Sequence, residues 1–158
     1  MTTPHERLRE LGLKLPAPPA PAASYVPTRL VPLGDDRALL YVAGQISAAD
    51  GTRLTGRCPD EVSVGEAHAR AQVCALNVLA QIESAAGLDN VEQVAQLIGF
   101  VLSADGFGDQ PKVMNGASDL LVDVLGDAGR HARLALGTNA LPFSATVEIG
   151  AVVVVRTR

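Results

Sequence analysis

Aromatic side chains are scarce in this chain: Trp is absent, and Phe, Tyr and Trp together make up 3% of its 158 residues. Without rings set among basic residues there is no stacking platform for single-stranded nucleic acid. An excess of positive charge is missing too. Thirteen Lys and Arg against 17 Asp and Glu leave a net charge of −4 and a pI near 5.3. Neither phosphate backbones nor anionic membranes would find an electrostatic footprint. Two cysteines, Cys58 and Cys74, are too few for a disulfide framework and suit a reducing compartment. Long apolar runs are also lacking. The longest, around 151–155, falls far short of the ~20 residues a membrane helix needs, and residues 1–10 carry no apolar centre of a signal peptide. The expectation is a soluble cytoplasmic protein with no nucleic-acid and no membrane partner.

What is present is material for a core. The hydrophobic fraction is 47% and the mean hydropathy +0.21, mostly from Ala, Val and Leu. At this length one domain is expected, burying roughly 68–70% of its unfolded surface. Thr3 followed by Pro4 reads as an N-cap and first helical position, giving a short helix over 4–11 that Gly12 stops. Residues 15–23 carry Pro16, Pro18, Pro19 and Pro21, which fit neither ladder nor helix. They form either an extended arm over the surface or a linker without a role. Runs at 28–33 and 38–42 flank Gly34-Asp35-Asp36 and predict a hairpin, and 47–59 reads as a loop. Ser63 and Glu66 match a capping box opening a helix over 64–86, with Ala67, Ala71, Cys74, Ala75, Val78, Leu79 and Ile82 on one face. A strand over 91–102, a loop over 103–110, a helix over 118–125 and strands over 132–136 and 145–155 follow. The order ββαβαββ predicts an α+β fold whose two helices cover one face of a sheet. The other face then needs a partner, and an oligomer is expected.

Ligand spacings for a metal are absent: His5, His68 and His131 lie far apart, and no Cys-x-x-Cys occurs. The informative stretch is 129–136. On a strand alternate residues share a face, so His131, Arg133 and Ala135 point one way and Ala132, Leu134 and Leu136 the other, towards the core. An arginine there suits a carboxylate, whose two oxygens match the guanidinium fork. It equally suits a rim arginine paired with Glu148. Glu148 itself stands among β-branched residues and is costly to bury without a partner. It either holds a water or proton near a ligand or forms a salt bridge to a neighbouring strand.

These residues carry a resemblance. Residues 21–26 (Pro-Ala-Ala-Ser-Tyr-Val), Val42-Ala43-Gly44-Gln45, the helix from Asn77 to its alanine–glycine end, Asn115, and above all Arg133 with Leu141-Pro142 and Val147-Glu148-Ile149 downstream are similar to the RidA/YjgF family. That family is also known as L-PSP endoribonucleases or translation inhibitors. The resemblance covers residues 15–155, and the runs at 11–16 and 115–120 suggest a less studied subgroup. It implies a chorismate-mutase-like fold over 24–158, behind an N-terminal helix and arm over 1–23. It further implies a homotrimer around a central β-barrel, with three clefts between subunits. The implied activity is hydrolysis of reactive enamines and imines to 2-keto acids and ammonia, without cofactor or metal. Arg133 would bind the substrate carboxylate and Glu148 would place or activate the attacking water. Tyr25, Gly44 and His131 would line the cleft, with Asn115 a matched position of mainly structural character.

The chain departs from the family pattern at Ala135, where deaminase members commonly carry cysteine, and at Leu134, where a small residue is usual. The stretch 103–116 also reads as longer than the family core. The resemblance and these departures together leave two functions: an imine/enamine deaminase, or a non-catalytic trimer that binds small carboxylates or a protein partner. A ribonuclease ranks below both, because the chain is acidic and offers no paired acid and base near Arg133.

Overall fold

The computed structural model describes residues 1–158. Thr3 accepts from the Glu6 amide and Glu6 answers to the Thr3 amide, so both orphan donors at the start of helix α1 (Pro4–Glu10) are met. Strands β1 (Thr28–Gly34) and β2 (Arg37–Ile46) form a hairpin whose turn residues Asp35 and Asp36 both sit at positive φ. The segment expected to be only a loop holds a small ribbon of β3 (Ala48–Ala49) and β4 (Thr52–Arg53). Helix α2 (Val64–Ala85) opens with the Ser63/Glu66 capping box and is followed by Gly87. Strand β5 (Val91–Leu102), helix α3 (Gln110–Leu125), strand β6 (Ala132–Thr138) and strand β7 (Val147–Arg156) complete the chain.

The five long strands make one sheet in the order β1-β2-β7-β5-β6, antiparallel except for β5 with β6. Helices α2 and α3 pack together on one face, and α1 leans on α3. The core lies between helices and sheet. Ala67, Ala71, Cys74 and Ala75 let α2 approach Leu40, Ile149 and Val153, all fully buried. Leu8 of α1 belongs to the same core. No helix is long and apolar enough to cross a membrane.

Two further expectations need correction. Helix α3 begins at Gln110 with Pro111 in its first turn, eight residues earlier than expected. Gly116 within it lies against the backbone carbonyl of His68 on α2, where a Cβ would collide. The missing side chain at Gly116 is what lets the two helices meet. Leu134 and Leu136 do not enter the core: they are 46% and 42% exposed on the face that carries no helix. The strand's inward face is instead that of Arg133 and Ala135, which turn towards α3. Ile98, Phe100, Val152, Val154, Leu39 and Tyr41 share the open face with the two leucines.

Candidate functional site

The largest cavity, about 780 Å³, lies where the proline-rich arm crosses the sheet. Its floor comes from an irregularity in β2. Between Val42 and Gln45 the register with β7 shifts, and Gly44 lies against Glu148 so closely that a Cβ would strike Oε1. The arm forms one wall, held by buried glutamines: Gln81 Nε2 donates to the Pro19 carbonyl at 2.6 Å and meets Gln45 Oε1 at 3.5 Å. Tyr25 lines the same wall. Asn77, buried on α2, donates to the carbonyls of Ile46 and Ala48 and fixes the path into the ribbon. The opposite wall is Arg53 of β4, whose Cζ lies 3.5 Å from the ring centroid of Phe143.

Glu148 is the one acidic residue that lines this cavity. It is half-buried and makes neither an ion pair nor a hydrogen bond to any side chain or amide of the chain. Burial pushes its carboxyl above the ordinary value of 4.5. The salt bridge between Glu148 and Arg133 that the sequence left open does not form. Glu148 stands beside Phe100, and Phe100 beside Leu136, on the open face; Arg133 stands beside Leu97 on the helix face.

Arg133 has partners of its own. Its Nη1 donates to Asn115 Oδ1 at 3.0 Å and to Ser118 Oγ at 3.1 Å, both on α3. His131 Nε2 lies 3.0 Å from the same Ser118 hydroxyl, and its Nδ1 2.6 Å from the Gly129 carbonyl. Neutral acceptors orient the guanidinium without cancelling its charge. A shallow cleft of about 280 Å³ opens over Ser118, Val122, Arg130, His131 and Arg133. Within one chain the expected site residues thus form two groups: Tyr25, Gly44 and Glu148 in the cavity, and Asn115, His131 and Arg133 at the edge strand.

The family model described as "YjgF/chorismate_mutase-like, putative endoribonuclease" matches residues 5–152. The chain belongs to this family. Protein TCP17 of Trypanosoma cruzi is 45% identical over 149 residues, covering 92% of this chain and 90% of that protein. The crystal structure of Atu1372 from Agrobacterium tumefaciens, a protein of unknown function, is 40% identical with a TM-score of 0.84, over 99% of this chain and 93% of that one. A Shewanella oneidensis protein bearing the same endoribonuclease description is 29% identical with a TM-score of 0.88, over 96% and 98% of the two chains. The YjgF/chorismate-mutase-like fold expected from Arg133, Leu141-Pro142 and Glu148 is present, with its mixed sheet and two covering helices.

Sequence reasoning missed Arg53 and Phe143. Arg53 follows Asp50-Gly51 in a stretch that read as loop, where an arginine looks like any solvated one. Phe143 follows Pro142 at a φ of 56°, a left-handed conformation that phenylalanine rarely adopts. Neither the ring position nor the stacking has a signature in spacing.

Proposed function

We propose that this YjgF-family chain hydrolyses 2-imino acids, and the enamines in equilibrium with them, to 2-keto acids and ammonia in a cleft between subunits of a homotrimer. The observation that carries this is the unpaired, half-buried carboxylate of Glu148 with its raised pKa, set against Gly44 in a cavity. A carboxyl brought closer to neutrality can both take and return a proton. In the proposed reaction Glu148 accepts a proton as water adds to the iminium carbon. It then returns that proton to nitrogen, and as the carbon–nitrogen bond breaks to release ammonia the carboxylate takes up the hydroxyl proton, leaving the keto acid. Arg133 supplies the carboxylate receptor from the neighbouring subunit, since its unneutralised guanidinium lies at the sheet edge with Asn115 and Ser118 orienting it. The substrate is already electrophilic, so orientation and charge placement suffice.

The apolar open face, with Tyr41, Leu134 and Leu136 all exposed, supports the trimer. The test is ammonia release from imines made in situ by an amino-acid oxidase, beside cleavage of labelled RNA. Ammonia release without RNA cleavage is expected. Arg133→Ala should weaken 2-keto acid binding by about 2–5 kcal/mol if the pair is desolvated, and Arg133→Lys should restore little of it. A second reading, a binder without catalysis, is favoured by Ala135, which puts no thiol beside Arg133. It would be established by keto-acid binding that depends on Arg133 with no ammonia formed.

A further inference from the structure

The cavity of about 780 Å³ at Glu148 holds a cation, Arg53, that the reaction above does not use. The Arg53 side chain forms no ion pair and no hydrogen bond; it lies against the face of Phe143. Stacking occupies the flat of a guanidinium and leaves its in-plane N–H donors free. Residues around it are arranged to keep it there. Phe143 and Ser144 both sit at positive φ, at 56° and 57°, which an L side chain adopts only when its surroundings require it. Arg70 of α2 donates to the Thr55 carbonyl and to Thr146 Oγ1, while Thr146 Oγ1 donates to the Gly56 carbonyl. These bonds tie the chain beyond β4 to the segment that carries Phe143. The remaining wall is small and apolar, with Pro21, Ala22, Pro27 and Ala43 along the arm and β2.

We infer that Arg53, stacked on Phe143, is an anion receptor that recognises a second carboxylate at the far end of the ligand's side chain. The ligand class is then a 2-imino or 2-keto dicarboxylic acid, not a short neutral one. This inference rests on the deaminase reading for the reacting end of the ligand. It concerns a different residue and a different group of the ligand. Arg53 holds the distal carboxylate in plane with its fork, the apolar wall accommodates the methylenes, and the keto or imino carbon lies towards Glu148.

Calorimetric titration with 2-oxoglutarate and with 2-oxopentanoate, which carries a methyl group in place of the distal carboxylate, tests this on the wild-type protein. The expected result is a preference for 2-oxoglutarate of at least ~10-fold, the scale of a charge-assisted forked contact. Arg53→Gln and Arg53→Ala should reduce that ratio to near one. Arg53→Lys should retain only part of it, because an ammonium cannot stack and fork together. Equal affinities in the wild type, or a ratio unchanged in both Arg53 variants, would overturn the inference while leaving the deaminase reading intact. Titration with glutarate, which has two carboxylates and no keto group, separates the two conversely. Arg53-dependent glutarate binding alongside no ammonia from any imine supports the anion receptor and removes the deaminase reading.

Discussion

Glu148 shows how one residue's surroundings set its chemistry. A carboxylate with no donor beside it loses hydration and gains nothing in exchange, so its proton is held more tightly in the fold than in the unfolded chain. Its favourable contribution to stability is therefore complete below the ordinary value of 4.5 and is lost as pH rises through the elevated native value. Glu148→Gln is neutral throughout. The variant should match the wild type in acid and melt higher at about pH 7, where the wild type carries a half-buried charge. Melting curves across that range check it; a wild type that gains on the variant as pH rises would show that a cation holds the carboxylate. The same substitution should lower imine hydrolysis by ~10²-fold with keto-acid affinity nearly unchanged, if the carboxylate moves protons in the transition state. Undiminished turnover would remove Glu148 from the chemistry. The two thiols make a contrasting case. Cys58 and Cys74 are fully buried and burial raises both, so neither should be alkylated until the protein unfolds.

At the scale of elements, what the sequence made legible was what periodicity and caps encode. Helix α2 followed from Ser63, Glu66 and an alanine-rich stripe, and strand β5 from an apolar run ending before a glycine loop. The start of α3 was hidden because Gly116 serves a neighbouring helix and carries no local signal of its own. The faces of β6 were misassigned for a related reason: leucines on an edge strand look like core wherever the covering layer is unknown. Arg53 was invisible because its partner Phe143 lies ninety residues away in sequence. The family motif led to Glu148 and Arg133 but not to their placement on opposite faces. Gly116 offers a direct test at this scale. A Cβ there meets a backbone carbonyl, which cannot rotate away as a side chain can. Gly116→Ala should therefore destabilise by about 1–3 kcal/mol through overpacking, despite the higher helix propensity of alanine. Denaturant unfolding measures it, and a stabilised variant would mean that α2 and α3 can separate freely.

For the whole molecule, the arrangement of the two groups decides what assembly must do. One chain presents an acid in a cavity on the open side and a cation at the edge strand on the helix side, so on the proposed reading neither group completes a site alone. A trimer of roughly 49 kDa, three times the 16.4 kDa chain, would cover the exposed Tyr41, Leu134 and Leu136 and bring one subunit's β6 edge to the next subunit's cavity. Light scattering tests the mass, and Leu136→Asp should reduce it by placing a charge on that face. Complementation tests the placement itself. Arg133→Ala and Glu148→Gln should each be nearly inactive as pure proteins. When the two are unfolded together in equal amounts and refolded, half of all protomers carry an intact Arg133 and half an intact Glu148. If each site draws its arginine from one protomer and its carboxylate from the next, about one quarter of the sites regain both. Recovery of about a quarter of wild-type ammonia release is the expected outcome. If both groups acted within one chain, no combination of these two variants could rebuild a site, and the refolded mixture would stay as inactive as its parts.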